Sequence, residues 1–194
     1  MDDRTYGPEG QILSESHFQD GKRTGAAKFY YLSGNLYAIQ RYDQGKKEGK
    51  QEFYYENGTL KTLENSRAGF LDGESILYWP NGKVKRKCAF ISGSRNGTDQ
   101  MWSEEGRLVD EGVYEMGKPV GCHRRWSSSG QILEEIEYLT IGYFNIRQWD
   151  ETGQLRLEGK WIDSENYREK TWDRFQNIWI EKKGRWDGKR LRYI

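Results

Sequence analysis

The sequence predicts an all-β protein, built as one elongated, single antiparallel sheet of tandem β-hairpin repeats. Three observations predict this class: an aromatic residue and a glycine recur at a fixed period, the chain holds 23 glycines and 3 prolines, and its apolar content is mostly aromatic. Aromatic residues make up 14% of the 194 residues, and such flat side chains suit pleated surfaces.

The period is set by an aromatic residue that precedes a glycine by four positions. Tyr30 with Gly34 and Tyr54 with Gly58 are examples, and successive copies are 24 residues apart up to Trp126 and 23 afterwards. A fixed period of this length predicts about eight units of one repeat. The aromatic positions are Tyr6, Tyr30, Tyr54, Tyr78, Trp102, Trp126, Trp149 and Trp172.

Each repeat carries the signals of a β-hairpin. Asn57 precedes Gly58, and both residues of such a pair accept a positive φ, so we expect a two-residue turn there. Apolar residues two positions after the glycine and aromatics eight positions after it share parity, so we expect them on one face of the returning strand. A spaced glycine pair, such as Gly45 and Gly49, predicts a second, wider turn into the next unit.

The repeat pattern covers a single domain, residues 1–194, with a regular and an irregular part. Residues 6–140 are predicted to be regular repeats, and residues 141–194 are predicted to be degenerate or capping repeats. In the second part Ile141 and Asn145 replace the glycine pair, which returns as Gly184 and Gly188.

The unit Y-x-x-x-G-x-L, followed by an aromatic residue and then by G-x-x-x-G, resembles the MORN repeat. It is most similar to the bacterial MORN-repeat variant of YwqK-type antitoxin proteins, and the resemblance runs from Tyr6 to Tyr193. The resemblance implies a binding protein without a reaction of its own, an antitoxin or immunity factor that occludes a toxin domain. Classical MORN proteins scaffold membranes or dimerise through their sheets, so a self-associating, membrane-proximal scaffold is the alternative.

The residues predict no catalytic, cofactor or metal site, and therefore no enzyme. The histidines are His17 and His123, and the second adjoins Cys122. Adjacent strand residues point to opposite faces, which argues against a Cys–His dyad unless the two lie in a turn. The acidic pairs Glu104-Glu105 and Glu134-Glu135 are expected to be solvated rather than to converge on a substrate.

Three further aromatic residues predict the binding surface. Tyr31, Tyr55 and Trp79 each follow a repeat aromatic, so we expect them on the other face of the sheet, at intervals of roughly 10 Å. Such a stripe would anchor a protein partner, because Tyr and Trp dominate interface hot spots. A second core layer, formed if the ribbon coils on itself, is the other interpretation of the same residues.

Charge and the first strand restrict the class of partner. A net charge of +1 gives no general attraction to nucleic acid or to an anionic membrane, although basic residues and tryptophans are interleaved after Asn166. We therefore expect another protein as partner, with nucleic acid disfavoured and a membrane only weakly supported. The first strand has no evident cap, which predicts a homodimer through that edge or a longer parent protein.

Two features favour a cytoplasmic location. Cys88 and Cys122 do not make a disulfide framework, as expected of free thiols in a reducing compartment. The start, MDDRTYGPEG, lacks a basic segment followed by an apolar run, so it does not predict a signal peptide, although a chain with its leader removed would begin in the same way.

Overall fold

The computed structural model describes residues 1–140, 143–186 and 191–194, and these residues form β-strands and turns without a helix. The predicted all-β class, with antiparallel hairpins in tandem, is confirmed. The chain forms two compact units, Met1–Gly106 and Arg107–Ile194. Ile141 and Gly188, two positions used above to define the irregular repeats, lie outside the described residues, and the division at residue 141 stays a prediction.

In the first unit the strands pair antiparallel with their neighbours in sequence, as a series of hairpins requires. Its strands are β1 (Asp2–Tyr6), β2 (Ile12–Gln19), β3 (Lys22–Tyr30), β4 (Leu36–Asp43), β5 (Lys46–Lys47), β6 (Gly49–Tyr54), β7 (Leu60–Arg67), β8 (Phe70–Tyr78), β9 (Val84–Ile91), β10 (Ser94–Arg95) and β11 (Gly97–Trp102).

The second unit repeats the arrangement, and each of its strands is antiparallel to the next. Its strands are β12 (Leu108–Glu115), β13 (Lys118–Trp126), β14 (Ile132–Thr140), β15 (Tyr143–Trp149), β16 (Leu155–Trp161), β17 (Asn166–Asp173), β18 (Ile178–Trp186) and β19 (Leu191–Tyr193).

The two-residue turns lie at the first glycine of each spaced pair, where the sequence predicted the wider turn. Asp43 pairs with Lys46 across Gln44 and Gly45, whose φ angles are 47° and 82°. Two positive φ angles define the type I′ turn, which follows the twist of the flanking strands. The same turn occurs at Asp20-Gly21, Ala68-Gly69, Ser92-Gly93 and Met116-Gly117.

The turn at Asn57 and Gly58 is the wider one, so the two-residue turn predicted there is wrong. Gly58 has a φ of 83°, whereas Asn57 keeps a negative φ. The Gly58 amide donates to the Tyr55 carbonyl at 2.9 Å, and the Tyr55 amide donates to the Thr59 carbonyl at 2.8 Å, which encloses a three-residue loop. Asn57 Oδ1 also accepts the Thr59 amide at 3.0 Å, and this side-chain bond favours the open turn.

The second glycine of each pair lies at a β-bulge. At Gly49, which has a φ of 74°, the chain is divided into the short β5 and the longer β6. The register shifts again between Phe53 and Tyr54, beside the three-residue loop. A bulge changes the side-chain alternation along a strand, so equal parity does not guarantee a common face for the two predicted columns.

Backbone amides of the type I′ turns also donate hydrogen bonds to the preceding repeat. The Gly45 amide donates to the Arg23 carbonyl at 2.8 Å, and the Gly69 amide donates to the Lys47 carbonyl at 2.9 Å. The Ala68 amide donates to the Glu48 carboxylate at 2.8 Å. The turns at this edge of the first unit are therefore held to one another and not only to their own hairpins.

Burial is spread over the sheet rather than concentrated in a hydrophobic core. Among the described residues the buried apolar side chains are Ala27, Ala38, Cys88 and Tyr167. The repeat aromatics from Tyr30 to Trp149 are half-buried. Most apolar stabilisation therefore comes from contacts between side chains on adjacent strands, the pairs that stabilise any sheet.

We predict that Ala68→Asn stabilises the protein. Ala68 has a φ of 51°, which an alanine adopts at a cost and an asparagine tolerates better, and Asn-Gly is the preferred type I′ pair. The free energy of unfolding, measured with urea, should rise by about 0.5–1 kcal/mol. Ala26→Asn is the matched control, since exposed Ala26 lies within β3, where asparagine is disfavoured. A lower stability of Ala68→Asn would contradict the assigned turn geometry.

Candidate protein-binding surface

Tyr31, Tyr55 and Trp79 each begin a three-residue loop, at the edge of the first unit opposite the type I′ turns. Each side chain is half-buried and donates a hydrogen bond to the next repeat. Tyr31 Oη lies 2.7 Å from the carbonyl oxygen of Tyr54, and Tyr55 Oη lies 2.8 Å from that of Tyr78. Trp79 Nε1 lies 3.0 Å from that of Trp102. The three residues thus tie successive repeats together.

The rings of these three residues are flanked by a second set that is also 24 residues apart. Tyr37 packs edge-on against Tyr31, with 5.2 Å between ring centroids. The ammonium groups of Lys61 and Lys85 lie 5.5 Å and 4.2 Å from the ring centroids of Tyr55 and Trp79. A cation over an aromatic face is attracted to its π electrons. The rings of Tyr55 and Trp79 are therefore held by a lysine as well as by their hydrogen bond to the next repeat.

Tyr31 stays a hydrogen-bond donor at neutral pH. Burial raises the pKa of its phenol above the ordinary value, and the neighbouring Tyr37 acts in the same direction. The phenol is therefore protonated wherever the protein is folded under physiological conditions.

Polar side chains at the same edge add further bonds between repeats. Asn35 Nδ2 donates to the Glu56 carbonyl at 2.9 Å, and Asn81 Nδ2 donates to the Glu104 carbonyl at 3.1 Å. Lys83 Nζ donates to the Glu105 carbonyl at 3.0 Å. These loop-to-loop contacts fix the backbone around the aromatic residues.

Tyr31, Tyr55 and Trp79 therefore form a regular row of half-exposed rings, which we call the aromatic row. The polar atom of each ring is bonded inside the protein, and each of the three residues remains partly exposed. Sequence spacing placed the three residues in register but gave no sign of their bonds to the following repeat. Their role as partner anchors stays a prediction.

A second column of residues, missed by the sequence analysis, is buried in the first unit. Its members stand two positions after the second glycine of each pair, so the constant offset from that glycine is the signal that could have revealed it. In the first unit, each member of this column is at most 6% exposed. The column is Ala27, Gln51, Ser75 and Asp99, and it continues to His123 in the second unit.

Gln51 completes the backbone bonding beside the bulge. Its Oε1 accepts the Arg41 amide at 3.1 Å, and its Nε2 donates to the carbonyls of Arg41 and Gly49, both at 3.1 Å. Shorter residues stand at this position in β3 and β8, where the strand runs through the glycine without a break. A long polar side chain thus takes the place of strand pairing where the chain is interrupted.

His123 has a similar structural role in the second unit. Its Nε2 lies 3.1 Å from the amide nitrogen and 2.8 Å from the carbonyl oxygen of Val113. Its ring packs between Tyr114 and Tyr138, with centroid distances of 5.1 Å and 4.8 Å. Burial raises the pKa of the neighbouring Cys122 thiol, which keeps it in the poorly nucleophilic protonated form.

Asp99, a member of the buried column, accepts hydrogen bonds from two arginines. Its carboxylate accepts Arg86 Nε at 2.8 Å and Arg95 Nη1 at 3.1 Å, and its side chain is 8% exposed. Burial alone raises the pKa of this carboxyl, but the hydrogen bonds and charges of the two arginines outweigh it, so the pKa is lowered overall.

The remaining candidate residues also make contacts within the protein. His17 Nδ1 lies 2.6 Å from Asp2 Oδ1, between β1 and β2. Glu134 accepts Gln148 Nε2 at 2.7 Å, and Glu135 accepts Arg124 Nε at 2.9 Å. Within residues 1–140, 143–186 and 191–194, no three His, Cys, Asp or Glu side chains are grouped to hold a metal ion. No helix long and apolar enough to cross a membrane occurs in those ranges.

Comparison with known proteins identifies the type of repeat. Three segments, residues 23–44, 47–66 and 71–91, match the family model described as MORN repeat variant. The prediction of MORN-type repeats is confirmed for these segments, which all lie in the first unit. No curated protein matches the chain significantly. Among solved structures, TcdB2-TccC3 without its hypervariable C-terminal region aligns with 97% of this chain at 13% identity and a TM-score of 0.24, and the chain spans 11% of that protein.

We predict that Asp99→Asn destabilises the protein most strongly at neutral pH. The lowered pKa means that ionised Asp99 stabilises the fold above the unfolded value of about 4, and that this contribution is lost as the pH falls through the folded pKa. The loss at pH 7 should be roughly 2–3 kcal/mol, somewhat less than for a fully buried pair because the arginines are partly exposed.

Urea unfolding of the variant and the parent at pH 7 and pH 3 measures this effect. The difference in stability should shrink at the lower pH. Glu74→Gln is the control, because the ion pair of Glu74 with Lys87 is half-exposed and should contribute less than about 0.5 kcal/mol. Equal losses for Asp99→Asn at both pH values would contradict the assigned role of the carboxylate.

Proposed function

We propose that this chain, which carries MORN-type repeats, binds another protein without catalysing a reaction. Its specific role in the proposal is that of an antitoxin or immunity factor, which blocks a toxin domain by covering it. The observation that carries the proposal is the aromatic row of Tyr31, Tyr55 and Trp79, held in register by hydrogen bonds to the next repeat.

Rigidity of the row supports a binding role. Each ring has its polar end fixed by a backbone carbonyl, so little side-chain freedom remains to be lost when a partner covers it. Large aromatic side chains of this kind supply much of the energy at protein interfaces. A partner that covers several repeats would bury several rings at once.

The surroundings of the row give it a preferred partner chemistry. Tyr37 is 38% exposed beside Tyr31, and Lys61 is exposed beside Tyr55. Apolar rings bordered by lysines suit a partner surface that combines apolar groups with carboxylates. An acidic protein domain therefore fits this surface better than a polyanion that lacks apolar groups.

A self-associating scaffold is the alternative, and one observation favours it. The strand β18 carries an exposed apolar segment, Ile178–Ile180, and such strands pair readily with other chains. In that case the chain itself would be the main partner.

The test is affinity capture from the lysate of the source cells, with the bound proteins identified by mass spectrometry and re-purified. We predict one stoichiometric protein whose toxic or enzymatic activity is lost in the complex. A double variant, Tyr37→Ser with Lys61→Glu, alters the surface without removing the bonds of the aromatic row, and it should weaken binding at least tenfold. Lys46→Glu, at the opposite edge of the same unit, is the control and should bind normally.

Unchanged thermal unfolding of both variants is required for this comparison. Recovery of the chain alone as a dimer, or of lipid, would support the scaffold and contradict the antitoxin role. Equal binding by the double variant and the control would contradict the aromatic row as the contact surface.

A further inference from the structure

Within the described residues, strand β18 of the second unit is only partly paired on the side away from β17. It pairs with β17 over Ile178–Arg185, but with β19 only over Gly184–Trp186. Within the described part of the chain, no strand pairs with Ile178–Lys182 on the side away from β17. This segment is therefore an edge at which another strand can be added.

The orientation of the unpaired backbone groups follows from the last hydrogen bond of that edge. The Ile194 amide donates to the Lys183 carbonyl at 2.8 Å, so the polar groups of Lys183 point away from β17. In an antiparallel sheet this direction alternates from residue to residue, so the N–H and C=O groups of Trp179 and Glu181 also point outward. An incoming extended chain would meet two donors and two acceptors.

The side chains of the edge are apolar over three successive residues. Ile178, Trp179 and Ile180 are 48%, 41% and 39% exposed. Successive residues face opposite sides of the sheet, so both faces of the edge carry exposed apolar groups. Trp179 also packs edge-on against Trp172 of β17, with 5.5 Å between ring centroids, which fixes one wall of the site.

A row of alternating charges ends at this edge. Directly opposed residues on seven successive strands carry opposite charges, and close contacts include Arg124 with Glu135 at 2.9 Å and Arg147 with Glu158 at 3.1 Å. The next strand after Glu181 would continue the alternation with a basic residue. The row is Glu111, Arg124, Glu135, Arg147, Glu158, Lys170 and Glu181.

We propose that β18 binds an extended segment of another polypeptide, which adds as an antiparallel strand and carries a basic residue opposite Glu181. An acidic residue precedes that basic residue and faces Lys182, and apolar residues follow it and face Ile180 and Trp179. This mode of recognition uses main-chain hydrogen bonds for affinity and side-chain complementarity for specificity. The site lies outside the aromatic row and does not depend on the function proposed for it.

The inner neighbour of β18 has this pattern at three of the four positions, since the residue opposite Ile180 is Thr171. In β17, Glu169 faces Lys182, Lys170 faces Glu181, and Trp172 faces Trp179. The sequence NYREKTWD, residues 166–173, therefore serves as a probe for the open side, because it matches the charges of Glu181 and Lys182 and places a tryptophan opposite Trp179.

The experiment titrates the chain of residues 1–194 against a fluorescein-labelled NYREKTWD peptide and follows fluorescence anisotropy. We expect saturable binding, and at least tenfold weaker binding of the peptide with Lys170→Glu. The chain with Glu181→Lys should show the reverse preference. Glu181 also contacts Arg168 at 3.1 Å, so this variant removes an ion pair within the sheet as well as the proposed contact with the peptide.

Amide hydrogen exchange on the unaltered chain therefore provides the second readout. Binding of the parent peptide should slow exchange at the Trp179 and Glu181 amides and leave those of β3 unchanged. Absence of saturable binding, or equal affinity for the charge-reversed peptide, would overturn the proposal. A concentration-dependent dimer in sedimentation that protects the same two amides without peptide would assign the edge to a second copy instead.

Discussion

Hydrogen bonds from each repeat to the next are the interaction on which the first unit depends. Few apolar side chains are fully buried, so the hydrophobic contribution comes from many half-buried contacts between strands. At one edge the type I′ turns bond to the preceding repeat through Gly45 and Gly69, and at the other edge Tyr31 and Tyr55 bond to the following one. A repeat of this kind is stable because its neighbours complete its polar groups.

The same bonds link stability with the proposed binding role. A ring whose polar atom is fixed in the next repeat cannot turn away from the surface, so the aromatic row is both a structural link and a rigid contact area. The buried column has a different role, since Gln51 adds hydrogen bonds to backbone groups of Arg41 and Gly49 beside the bulge, where strand pairing is interrupted. His123, a residue type common in catalytic sites, likewise contacts backbone groups, those of Val113.

The period of aromatics and glycines was sufficient to predict the fold class, because spacing in a repeat maps directly onto strands and turns. Turn types were assigned to the wrong ends of the hairpin, because the Asn57 side chain stabilises an open turn while Gln44 accepts a positive φ without being a preferred residue for it. The 24-residue spacing of Tyr31, Tyr55 and Trp79 is read directly from the sequence, and their use as partner anchors stays a prediction. Their hydrogen bonds join residues 23 positions apart, which a pattern of residue types does not encode.

Native-state hydrogen exchange at the Gly45, Gly69 and Gly93 amides tests the central claim most directly. These amides donate to carbonyls of the preceding repeat at 2.8, 2.9 and 2.7 Å, although they lie in turns at the surface. If bonds between repeats hold the unit together, the three amides should exchange as slowly as those in the middle of β3 and β8. Exchange as fast as that of Ser33, at the tip of a three-residue loop, would show that the turns open independently and would contradict the account.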